Sequence, residues 1–106
     1  MLTFKTATKE YNDCYLELIA LSENPSLERL RVMSKSAGVV AIANYVDTTI
    51  DYPNEIAIKD YSENKGVYDL LVELGIIDKS SHYKTIGLAE LLICKFHRDR
   101  VAQFSK

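Results

Sequence analysis

Tryptophan is missing from this chain, cysteine, proline and histidine occur only twice each, and glycine four times. Two cysteines far apart in sequence, Cys14 and Cys94, exclude a disulfide-dense miniprotein. In a reducing compartment such residues are expected as small apolar core groups. The four glycines are isolated from one another, which excludes a Walker-type phosphate loop and a dinucleotide fingerprint. No repeat, Gly/Ser linker or low-complexity tract interrupts the chain. Long apolar runs are also missing. The longest, Leu91-Leu92-Ile93-Cys94, is closed by Lys95, far short of the roughly 18 residues of a membrane-spanning helix. Residues 1–9 carry neither the apolar core of a secretory signal nor an Arg-rich transit pattern. The expectation is a cytoplasmic protein without a membrane partner.

What is present is ordinary globular material: 106 residues, 47% hydrophobic and 26% charged. That length suits one domain, residues 1–106, burying roughly two-thirds of its unfolded surface. Such a core folds without metal or staples, so no cofactor is expected.

Between Thr8 and Ser22, Tyr11, Cys14, Tyr15, Leu18, Ile19 and Leu21 recur at spacings of three and four. This predicts a helix with one buried stripe and Leu18 at its centre. Asn24-Pro25 reads as a cap followed by a first helical residue. A second helix then carries Leu27, Leu30 and Met33 inward and ends near Gly38. A short connection would pack the two as an antiparallel hairpin. Residues 39–46 are β-branched or aromatic at five of eight positions, which favours a strand over continued helix. Glu55–Tyr61 alternates as a strand with Ile56 and Ile58 inward. Val67, Leu70, Leu71 and Leu74 line one face of a further helix, closed by Gly75 with Ile76 and Ile77 folding back. Residues 83–96 fit either a helix or a strand hairpin, and the tail from Arg98 should be exposed. The fold class expected is therefore α+β: a helical hairpin and a further helix on a short antiparallel sheet, with an all-α bundle as alternative.

Candidate chemistry is sparse. Cys94 and His97 stand three apart and could share a helix face with each other, but zinc sites usually show two such pairs. Cys94 lies inside an apolar run, where burial disfavours a thiolate. His97-Arg98-Asp99 matches three letters of the kinase catalytic loop, and nothing else of that machinery is present. No carboxylate pair stands in an apolar setting that would separate its pKa values for acid–base work. No catalytic role is expected of any residue.

Charge is distributed unevenly. Residues 47–78 hold eight carboxylates against two lysines, a net −6, whereas residues 79–106 carry +4. Tyr45, Tyr52, Tyr61 and Tyr68 interleave with those carboxylates. Tyrosine rings give rigid contact area and carboxylates attract a cationic partner. A non-enzymatic protein-binding module follows, with Asp47, Asp51, Tyr52, Glu55, Asp60, Tyr61, Glu63 and Asp69 as its partner-facing residues. By analogy of size and charge, the specific expectation is a bacterial immunity- or antitoxin-type inhibitor covering the basic surface of a toxin such as a nuclease. The alternatives are a small enzyme with an unreadable site and a nucleic-acid-associated regulator. The regulator would use Lys95, Arg98, Arg100 and Lys106 with Phe96, Phe104 and Tyr83. Four cations in twelve residues are a weak footprint, and the acidic middle segment repels phosphate, so nucleic acid is the lesser expectation.

Overall fold

Residues 10–20 carry apolar side chains at two periods at once. Cys14 and Leu18 belong to a helical stripe, but Cys14, Leu16 and Leu18 also alternate as one face of a strand. A computed structural model of the chain, describing residues 2–6, 8–20, 28–45, 54–61, 64–80 and 82–105, resolves the ambiguity in favour of the strand. Strand β2 (Glu10–Ala20) pairs antiparallel with β1 (Leu2–Lys5) and with β3 (Glu28–Ser34). Leu16, which the helical stripe omits, is fully buried, while Leu18 is half-buried and packs against the core. In β3, Leu30 and Val32 point inward at a spacing of two, and Arg29 and Arg31 lie on the other face. The expected helical hairpin is therefore absent. Its two segments form a strand pair in continuous register from Cys14↔Ser34 to Ala20↔Glu28. The Asn24-Pro25 helix start lies outside the described residues.

Most of the described chain is strand, in two sheets, so neither an α+β fold with a helical hairpin nor an all-α bundle is correct. Strand β4 (Gly38–Ile42) completes a four-stranded sheet of order β1-β2-β3-β4. Strands β5 (Glu55–Lys59), β6 (His82–Ile86) and β7 (Ala89–Lys95) form a second sheet of order β5-β7-β6. Residues 83–96 thus take the hairpin alternative, turning through Gly87-Leu88 with Gly87 at φ 60°. A two-residue turn beginning with glycine suits the twist of such a pair.

Residues 43–45 join the sheets. Ala43 N–H donates to Leu30 O, and Tyr45 N–H and Lys59 N–H bond across to Ala57 O and Ala43 O, at 2.7–2.9 Å. Asn44, only 3% exposed, uses its side chain here. Its Oδ1 accepts the Leu30 N–H and its Nδ2 donates to Glu28 O, both at 2.9 Å. One amide thereby satisfies a donor and an acceptor at the start of β3 that burial would otherwise leave costly.

Helix α1 (Val67–Glu73) buries Val67 and Leu71, as its spacing predicts. It ends as its sequence does: Gly75 N–H donates to Val72 O, Ile76 N–H to Leu71 O, and Gly75 sits at φ 75°. These are the two hydrogen bonds of a Schellman cap, with Ile76 and Leu71 both fully buried beside it. The core gathers Phe4, Leu16, Leu30 and Val32 from one sheet, Ile56, Ile58 and Cys94 from the other, and Leu71, Ile76 and Val101. Val101 belongs to a 3-10 helix over Arg98–Phe104, so the expected exposed tail is in part a core element.

Candidate functional site

The acidic, Tyr-bearing segment can be followed at four of its eight expected partner-facing residues. Asp47, Asp51, Tyr52 and Glu63 lie outside the described residues. Asp60 and Tyr61 leave β5 and turn toward α1, where Asp60 Oδ1 accepts the N–H of Gly66 (3.0 Å) and of Tyr68 (3.1 Å). Asp60 is thus a cap reaching back from six residues upstream, and its charge suits the helix amino end. Tyr61 follows it at 41% exposure. Asp69, in the first turn of α1, and Glu73, one turn later, are both exposed on the same side. Neither is ion-paired among the described residues. Asp60, Tyr61 and Asp69 therefore come together around α1. Glu55 does not: it opens β5 opposite Lys95, about 13 Å of strand before Lys59. Tyr68 is internal in role, its hydroxyl accepting the Ser80 N–H at 2.9 Å. Tyr45, at 38% exposure, lies on the segment joining the sheets.

The basic C-terminal segment is organised differently. Arg98 Nε donates to Glu28 Oε2 at 2.9 Å, and its guanidinium lies 5.3 Å from the Phe96 ring centroid. Arg100 Nη1 donates to Gly75 O at 2.9 Å, at the end of α1. His97 Nε2 meets Asp78 Oδ1 at 2.8 Å while its backbone N–H donates to Ile76 O. The His97 contact lowers the Asp78 pKa. Phe96 is buried in the core. Three of the cationic or imidazole side chains in this segment thus hold the fold together, and Tyr83, at 63% exposure, stands apart on β6.

Both thiols are free and buried. Burial, with Asp78 and Glu55 nearby, pushes Cys94 up to about 12, and burial raises Cys14 as well. Burial thus disfavours the thiolate, the nucleophilic form, at both positions. Cys94 belongs to a strand, so its spacing from His97 does not create a shared helix face. Among the described residues no group of three or more His, Cys, Asp or Glu could hold a metal ion. No helix of the described residues is long and apolar enough to cross a membrane.

A cleft of about 250 Å³ lies between Leu2, Cys14 and Tyr15 of the first two strands and Gln103, Phe104 and Ser105 at the C-terminal end, with Lys35 also lining it. Sequence reasoning singled out Cys14, Tyr15 and Phe104 for other reasons and did not bring these residues together. They come from four separate stretches, and no local pattern marks them as one site. The fully exposed Leu88 was equally unmarked, although Gly87-Leu88 directly after the β-branched Thr85-Ile86 is a legible hairpin signal. No family model, curated protein or solved structure matches the chain.

Proposed function

We propose that this protein is a non-enzymatic protein-binding module, and more specifically an immunity- or antitoxin-type inhibitor that covers a basic surface of a toxin. The observation that carries the reading is the set of side chains around α1. Asp69 and Glu73 present exposed carboxylates that have no ion pair among the described residues, and the exposed Tyr61 follows the Asp60 that caps the same helix. Carboxylates steer a cationic partner toward this side, and a rigid ring supplies contact area once it arrives. The capping of α1 by Asp60 at one end and by the Schellman turn at the other holds that face in one geometry. Pre-organisation of this kind reduces the ordering cost of association.

The regulator reading draws less support. It needs free cations at the C-terminus, and Arg98 and Arg100 are engaged with Glu28 and with Gly75 O.

The test is affinity capture from the source cell with identification by mass spectrometry, using the wild-type chain and an Asp69→Asn/Glu73→Gln/Tyr61→Ala variant. The expected result is a protein with a basic surface that the wild type retains, that salt releases and that the variant loses. Capture of nucleic acid, or of a protein retained equally by both chains, overturns the reading.

A further inference from the structure

The cleft between the first two strands and the C-terminal end has a chemical character of its own. None of its lining residues belongs to the acidic, Tyr-bearing segment. At about 250 Å³ it exceeds the roughly 150 Å³ of an apolar cavity that accommodates a benzene ring. Leu2, Tyr15 and Phe104 give it apolar and aromatic walls. Cys14 adds to them as a neutral thiol whose Sγ is turned to Tyr11 O at 3.6 Å.

The polar groups of the cleft are few. The Ser105 hydroxyl donates to Val101 O at 3.0 Å and keeps only acceptor capacity. The Gln103 amide and the Lys35 ammonium have no side-chain partner among the described residues, so two donors remain available. Lys35 is also held in place through its backbone. Its N–H donates to Asp13 O at 3.2 Å, and the Asp13 carboxylate takes Ser34 Oγ at 2.7 Å and Ser36 N–H at 2.9 Å. Asp13 is the acidic group nearest in register to Lys35, and both its oxygens are engaged by this turn.

We propose that the cleft is a binding site for a small amphipathic carboxylate, its aromatic or aliphatic body between Tyr15 and Phe104 and its carboxylate on Lys35 and Gln103. A neutral ligand of the same shape would fill the walls but leave the ammonium without a counter-charge. A doubly charged anion would place a second charge against an apolar wall with no second cation among the described lining residues to meet it. The site thus selects one negative charge attached to one compact apolar body.

The experiment is an amide NMR titration of the intact chain with phenylacetate and, separately, with its neutral isostere phenylacetamide, each to roughly 10 mM because ligands this small bind weakly. Phenylacetate is expected to shift the amides of Leu2, Tyr15, Lys35 and Phe104 saturably. Phenylacetamide should bind about tenfold more weakly, the difference a charge-assisted hydrogen bond makes. Lys35→Gln, an exposed turn position whose spectrum reports its own folding, should erase that difference, and Lys79→Gln should leave it intact. The proposal is overturned if no amide of the cleft shifts, if acid and amide bind equally, or if Lys35→Gln binds phenylacetate like wild type.

Discussion

The chain before residue 46 and the chain after residue 53 make their structure by different means. The later part contains elements that announce themselves locally. Strand β5 alternates, and α1 closes on a glycine whose neighbours fold back into the core. The earlier part is a four-stranded sheet whose every hydrogen-bonded neighbour is another segment of chain. Its strands are stable because of their partners, and β2 taken alone satisfies a helical pattern as well as an extended one. Local pattern is informative where stabilisation is local, and loses its meaning where pairing decides.

That contrast is most sharply exposed at Leu16. Leu16→Ala should destabilise the protein by about 2–5 kcal/mol, the usual result of emptying a fully buried site, and Leu18→Ala by clearly less. Equilibrium denaturation decides. The reverse order would restore the helical stripe to residues 10–20 and break the comparison.

Asn44→Ala comes next, at about 2–3 kcal/mol, because it leaves the Leu30 N–H and Glu28 O without their partner at the join of the two sheets. A loss below about 0.5 kcal/mol would mean that the two parts of the chain do not depend on this junction. Gly75→Ala probes the local side of the comparison. It forces an L residue to φ 75° and sets its Cβ 3.1 Å from Arg100 Nη1. A cost of about 1–2 kcal/mol is expected by thermal melting. A neutral result would show that the ending of α1 is imposed from outside.

Two further tests concern charge. Asp13, in the earlier part, and Asp78, in the later, both have lowered pKa values from hydrogen bonds to Ser34 and Ser36 and to His97 respectively. A depressed carboxylate contributes stability that is present above its unfolded pKa of about 3.9 and is lost as pH falls through the lower folded value. The melting temperature should therefore drop below about pH 4, and Asp13→Asn should flatten part of that drop. An unchanged acid limb would remove Asp13 from the account. The smallest expected effect is that of Asp69→Asn/Glu73→Gln, within about 0.5 kcal/mol of wild type in stability. Its consequence should appear instead as slower association with a basic partner and a weaker dependence on salt.

The charged segments show how far a site can be read from sequence. Net charges of −6 and +4 are equally visible in the chain, yet they meet different fates. Asp69 and Glu73 are exposed on the outer side of α1 with no ion pair among the described residues, an exposure that the helical spacing of Val67 and Leu71 already implied. Arg98 and Arg100 are held against the fold, the first half-buried on Glu28 and the second at the surface on the carbonyl of Gly75. Those partners lie seventy and twenty-five residues away. Asp60 shows the same limit from the acidic side: its sequence neighbours suggest a surface carboxylate, and only the path of the chain into α1 makes it a cap.

By itself the sequence determined the elements whose stabilising contacts lie within a few residues, α1, its glycine-dependent end and the exposed carboxylates of the helix, and it marked the inward side of β5 by alternation although that strand's partner is the distant β7. A helix turn closes on itself, so its requirements are written in adjacent residues. Tertiary structure alone decided that residues 10–20 and 28–34 extend and pair, that Asn44 stitches two sheets, that Val101 enters the core, and that Leu2, Tyr15, Lys35 and Phe104 share one cleft. Residues at positions i and i+4 face the same side of a helix and the same side of a strand. Only the hydrogen-bonding partner that folding brings alongside can tell the two apart.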